Sequence, residues 1–159
     1  MKIGLSGNFR KPRFFELVDF LHPLILDEGH ECILSDDFKS EGEHYLNIDC
    51  EILKFDDLIQ NADVIISIGG DGTILSTVRR MGDLSKPILG IHIGGLGFLA
   101  ENSQNDLNQL IQSVIGKKYT IDERMLLSVE IDGLNGESRR YHALNDIVVD
   151  HGNSGRILK

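Results

Sequence analysis

The chain of 159 residues has material for one ordinary domain, or for one domain and the start of another, and with 41% hydrophobic and 26% charged residues it has the composition of a soluble globular protein. A formal net charge of −9 argues against a nucleic acid partner, because wrapping such a backbone takes many Lys and Arg; any phosphate must be handled locally. No window approaches the run of about 18 apolar residues that a membrane span requires, and Met1 to Ser6 lack a signal cleavage site, so no membrane partner and a cytoplasmic location are expected. Cys32 and Cys50 stand alone, outside any metal-ligand spacing, and the six His are scattered; no metal site is expected from them.

In chain order, Lys2 to Leu5 predicts a strand. Pro12 to Leu26 predicts a helix with Phe14, Leu17, Val18, Leu21 and Ile25 on one face, Pro12 in its first turn and Gly29 as its stop. Pro23, inside that pattern, predicts a kink or an early end. Glu31 to Leu34 is a second strand. Ser35 to Asp49 is acidic and aperiodic and predicts a surface loop.

A short helix is predicted over Phe55 to Gln60. Val64-Ile65-Ile66-Ser67-Ile68 is a nearly continuous apolar run, the pattern of a strand buried on both faces. A helix over Thr73 to Met81, a strand over Pro87 to Ile91 and a turn at Gly94 to Gly97 follow. Leu107, Leu110, Ile111, Val114 and Ile115 hold helical spacing, and Gly116 is placed at the C′ position that ends that helix.

Alternating strands and helices predict an α/β fold with a Rossmann-like parallel sheet over residues 1–120. Beyond Thr120 the pattern becomes all-β: Met125 to Ile131 and Arg139 to Leu144 predict strands, joined by Asp132-Gly133 and Asn135-Gly136, and Ile147 to Val149 continues in β. Residues 121–159 are therefore expected to be the incomplete start of an all-β domain, and the chain looks truncated.

The segment with most chemistry in it is Ile68-Gly69-Gly70-Asp71-Gly72-Thr73, between a buried strand and a helix start. Three glycines let the backbone turn sharply and bring its N–H groups to an oligophosphate, and the helix adds the positive end of its dipole. No Gly-Lys-Ser or Gly-Lys-Thr follows, so the turn is not of the Walker type, and the glycine spacing is not that of the dinucleotide fingerprint. A carboxylate in an anion cradle would repel its ligand. Asp71 therefore either takes a sugar hydroxyl proton or helps hold Mg²⁺, or else it merely caps the helix; spacing leaves both readings open.

Gly69-Gly70-Asp71-Gly72-Thr73 resembles the signature shared by NAD kinases and by diacylglycerol and sphingosine kinases, with a relative in phosphofructokinases. Gly90-Ile91-His92-Ile93-Gly94-Gly95-Leu96-Gly97-Phe98-Leu99-Ala100 looks like the second glycine-rich turn of the NAD kinases, and Ala143-Leu144-Asn145-Asp146-Ile147-Val148 is similar to their Asn-Glu/Asp motif. The resemblance implies an ATP- and Mg²⁺-dependent NAD kinase, with NAD as substrate and NADP as product, and makes residues 121–159 the start of its NAD-binding domain.

It further implies that Asp71 is the proton acceptor for the ribose 2′-hydroxyl. Gly70, Gly72 and Thr73 would back the NAD phosphates, and Phe98 would lie on the adenine. Asn145 and Asp146 would bond the ribose and phosphate region, and Arg156 would reach the same ligand. A homo-oligomer, dimer or tetramer, is implied in the same way. His92 stands where many members of the family have Asn and is read as a packed or hydrogen-bonded residue with no catalytic role. Two rivals stand beside this reading. One is a lipid kinase of the diacylglycerol type, disfavoured by an acidic chain without a basic amphipathic helix. The other is a nucleotide-binding fragment without catalysis.

Overall fold

The computed structural model of the chain describes residues 1–41, 48–93 and 104–149. They divide into two compact units, Met1–Asp122 and Glu123–Lys159.

The first unit is built on five parallel strands, β1 (Lys2–Gly7), β2 (Glu31–Ser35), β3 (Glu51–Leu53), β4 (Val64–Gly69) and β5 (Ile88–His92), in the order β3-β2-β1-β4-β5. Helices α1 (Pro12–Asp27), α2 (Phe55–Asn61) and α3 (Asp71–Met81) connect its strands, α4 (Gln104–Ile115) follows β5, and together they cover both faces. The expected α/β class holds, because alternate residues of each strand need cover on opposite sides. On one face Ile3, Leu5, Cys32, Leu34, Ile66, Ile68 and Ile91 pack with Phe14, Leu17 and Leu21 of α1 and Leu107 and Ile111 of α4. On the other, Ile33 and Ile65 pack with Phe55, Leu58 and Ile59 of α2 and Met81 of α3.

Pro23 does not end α1, which runs on to Asp27. The carbonyl that Pro23 leaves without a donor belongs to Asp19, and both residues are exposed, where water can satisfy it. Gly29 is the stop as expected: it takes φ 73°, its N–H bonds to the Leu26 carbonyl, and His30 N–H bonds to that of Ile25. At the end of α4 the left-handed residue is not Gly116 but Lys117, at φ 52°. Lys118 N–H reaches the Ser113 carbonyl at 2.8 Å and Lys117 N–H that of Val114 at 3.1 Å. This closes the same terminal motif one residue later than expected, with a Cβ where glycine is favoured.

Within the expected loop at 35–49 the described residues include regular structure. Asp36–Glu41 form a 3₁₀ turn, and Phe38 is buried, its ring centroid 6.3 Å from those of both Phe9 and Phe15. Asp37 takes both guanidinium nitrogens of Arg80, whose guanidinium lies 3.7 Å from the centre of the Phe55 ring. β3 was not expected. Its three residues gain strand geometry only by pairing with β2.

In the second unit β6 (Leu127–Asp132) and β7 (Ser138–Ala143) form an antiparallel hairpin whose turn holds Gly136 at φ 78° and a bond from Gly133 N–H to the Glu137 carbonyl. Ile147 to Val149, expected in β, have no regular structure. A strand exists through its ladder, and these residues have none among the described part of the unit.

Candidate functional site

The order of the parallel strands decides where a site forms. From β1 the chain moves outward through α1 to β2 and β3, then returns through α2 to β4 on the other side of β1 and continues through α3 to β5. The connections after β1 and β4 thus diverge and leave a crevice at the carboxyl ends of these strands, where open α/β sheets take their ligands. An open cleft of about 480 Å³ lies there, lined by Asn8, Lys11, Gly70, Gly72, Thr73, His92 and Ile93. Three strand ends are tied together beneath it. Asn8 N–H bonds to the Ile68 carbonyl at 2.8 Å and Ile93 N–H to the Gly69 carbonyl at 2.9 Å.

The glycines in this turn have different jobs. A Cβ on Gly69 would stand 2.1 Å from Thr73 Oγ1, so Gly69 is glycine because the first turn of α3 closes over it. Gly70 has ordinary negative φ, and among the described residues a Cβ there would meet only the His92 ring at 3.6 Å, while a Cβ on Gly72 would meet none of them within 4 Å. Neither packing among the described residues nor backbone conformation requires glycine at 70 or 72. What their bareness leaves is room for something outside the chain to approach the backbone.

Asp71 does not cap α3. The N-cap is Gly70, whose N–H donates to Thr73 Oγ1 at 3.2 Å, and Asp71 is the first helical residue, with no capping bond from its side chain. The capping alternative is therefore set aside. A carboxylate in the first turn is favourable to the helix dipole, but 87% of this side chain is exposed. It stands between the lining residues Gly70 and Gly72 and meets a third, His92, with Nε2 3.2 Å from Oδ1. His92 ends β5, and the β4–β5 register that pairs it with Gly69 brings two residues 21 apart in sequence to one point.

Sequence reasoning missed Asn8, Lys11, His92 and Ile93 as cleft residues. Lys11 is the N-cap of α1, where Ser, Thr, Asp or Asn would be usual, and no acidic residue stands in the first turn of that helix. A cation at that end opposes the helix dipole, an arrangement better tolerated beside an anion. That mismatch was visible in Arg10-Lys11-Pro12-Arg13 and was the signal available.

Gly70, Asp71, Gly72 and Thr73 thus come together in the first unit. Asn145 and Asp146 lie in the second, exposed, just after β7. Phe98 and Arg156, like the turn expected at Gly94 to Gly97, lie outside the described residues. Among the described residues no group of three or more His, Cys, Asp or Glu is placed to hold a metal ion. None of the described helices is long and apolar enough to cross a membrane.

Residues 25–119 match the ATP-NAD kinase N-terminal domain. Among curated relatives, the NAD kinase of Geotalea daltonii is 36% identical over 158 residues, covering 99% of this chain and 54% of that protein. The NAD kinases of Acetivibrio thermocellus and Natranaerobius thermophilus are 33% and 30% identical, each again over 99% of this chain, and over 53% and 54% of their own lengths. The chain spans about half the length of these curated relatives. Among solved structures, the crystal structure of yeast NADH kinase complexed with NADH matches with a TM-score of 0.78 at 24% identity, over 98% of this chain and 47% of that one, a likeness of fold.

Proposed function

Because the chain belongs to the ATP-NAD kinase family, we propose that it serves an NAD kinase, which transfers the γ-phosphoryl of ATP to the 2′-hydroxyl of the NAD adenosine ribose and yields NADP. The observation that carries the reading is the Asp71 carboxylate, exposed at the head of α3 between two bare glycines and freed from any capping duty.

Phosphoryl transfer leaves the protein to position the reactants and offset charge, with one proton to remove. In this reading Asp71 accepts the proton of the 2′-hydroxyl as that oxygen attacks the γ-phosphorus, and the bond to the β-phosphate oxygen breaks to release ADP. The unpaired N–H groups of Asp71 and Gly72 and the positive end of α3 face phosphate oxygens brought against Gly70, Gly72 and Thr73. Lys11, which also lines the cleft, supplies local positive charge to a chain of net −9. Phe98 would cover the adenine, and Asn145, Asp146 and Arg156 would bind ribose and phosphate.

A divalent ion is compatible with this open cleft, since Mg²⁺ keeps several waters and takes substrate phosphates as ligands, which leaves Asp71 to act on the hydroxyl. When bound with ATP the ion would offset charge on the phosphates. A cytoplasmic location and a homodimer or homotetramer belong to the same proposal. The family match sets the lipid-kinase rival aside.

The test is NADP formation from NAD, ATP and Mg²⁺. Asp71→Asn should leave NAD binding in place and lower turnover by about 100-fold or more, the typical cost of losing a general base. Undiminished turnover would remove Asp71 from the mechanism, and binding without turnover in the unaltered protein would mark a nucleotide-binding module.

A further inference from the structure

The contact between His92 and Asp71 carries more than the packing role that sequence reasoning gave this histidine. The imidazole side chain is only 16% exposed, while the carboxylate it meets is 87% exposed. A surface carboxylate at a helix start ordinarily samples several rotamers, which is a poor state for a group that must meet one hydroxyl oxygen in line with a phosphorus. Here the ring is held at the end of β5, in register with Gly69, with the open flank of Gly70 beside its Cε1. The strand therefore lends its rigidity to a side chain on the neighbouring helix.

The protonation of the ring follows from its surroundings. Nδ1 is buried and meets no hydrogen-bond partner among the described residues. A proton on Nδ1 would bury an unpaired donor and leave the Nε2 lone pair facing a carboxylate lone pair. A proton on Nε2 removes both problems, since Nε2–H then donates to Asp71 Oδ1.

We propose that His92 is a positioning residue, its Nε2–H fixing Oδ1 of Asp71 so that Oδ2 is the oxygen presented to the sugar hydroxyl. This rests on the kinase reading above. The role belongs to the hydrogen-bond donor and not to ring bulk or charge. Glutamine, whose side-chain amide nitrogen lies the same number of bonds from the backbone as Nε2, should substitute for it; leucine should not.

Two measurements on the full chain test this. In NADP formation, His92→Leu should lower kcat on the order of 10-fold to 100-fold, the scale of a misplaced reacting group, with little change in KM for NAD, and His92→Gln should recover most of the loss. Equal kcat in the leucine variant and the unaltered protein, or a loss in both variants accompanied by raised KM and lowered Tm, overturns the positioning role. In ¹⁵N NMR of the imidazole, His92 should show Nε2 protonated and Nδ1 bare, and Asp71→Ala should move the Nε2 signal. An Nδ1–H tautomer, or no response to Asp71→Ala, overturns the proposal even if the leucine variant fails to fold. Failure of the unaltered protein to make NADP would instead bring down the kinase reading, and the role of His92 in it, while leaving the tautomer measurement to judge the pairing itself.

Discussion

β4 and β6 are both six residues long and both rich in β-branched and aliphatic side chains, yet every residue of β4 is buried and not one of β6 is. β4 lies between β1 and β5 with helices on both faces, so Ile65 and Ile66, on opposite sides, are both fully covered. β6 has a single neighbour, β7; Leu127 and Ile131 on its apolar side remain 48% and 54% exposed, and Tyr141, opposite Val129, 45%. An apolar pattern states that a face needs cover, and the rest of the fold determines whether cover arrives. Two-stranded hairpins in isolation are marginal for this reason.

Matched truncations measure the difference. Ile66→Ala should destabilise the first unit by about 2–5 kcal/mol, the cost of a lost aliphatic side chain and its cavity, whereas Ile131→Ala should stay within about 0.5 kcal/mol. Chemical denaturation of both variants checks this, and equal losses would mean that the hairpin face is covered in solution.

The next effect is confined to the sheet. Burial pushes the Cys32 thiol up to about 12, with a smaller push from Cys50, whose own thiol is raised by burial and by Asp49. The unfolded chain ionises such a thiol near the ordinary 9.0, before the folded chain does. Stability is therefore whole below that pH and falls as pH rises towards 12, because the unfolded state loses its proton first. The limiting slope is about 1.4 kcal/mol per pH unit for one such group. Unfolding titrations from pH 8 to 11 should show the decline, and Cys32→Ala should flatten it.

A smaller contrast of covered and open positions recurs inside the glycine turn. Gly69→Ala forces a methyl group against Thr73 and disturbs the N-terminus of α3, and should cost about 1–3 kcal/mol. Gly72→Ala meets open space in a helical position and should leave thermal stability equal or raise it by about 0.5–1 kcal/mol while weakening nucleotide binding. Calorimetric melting and NAD titration of the two variants separate fold from function; unchanged binding in Gly72→Ala would mean that no ligand approaches that backbone.

Much of the first unit was legible because its signals are local. The apolar faces of Pro12 to Leu26 and Thr73 to Met81 and the run Val64 to Ile68 each appear within a single window, and so does the glycine turn. What escaped depends on distant neighbours. Phe38 orders its 3₁₀ turn only because Phe9 and Phe15 receive it, β3 exists only beside β2, and Pro23 is tolerated only because its side of α1 faces water. The expected strand at Ile147 to Val149 erred the other way, since β character in sequence supplies no partner ladder.

At the site the division is the same. The sequence alone determined that a carboxylate would stand in a glycine-rich turn between a buried strand and a helix, since residue type, spacing and periodicity are properties of neighbours along the chain. Tertiary structure decided the rest. The strand order opened a cleft beside that turn, the β4–β5 register carried His92 to Asp71, and the return of the chain past β1 brought Asn8 and Lys11 into the lining of the same cleft. Those pairings join residues from about 20 to more than 60 positions apart, and the hydrogen bonds and apolar burial that select among them act through space, where distance along the chain has no bearing.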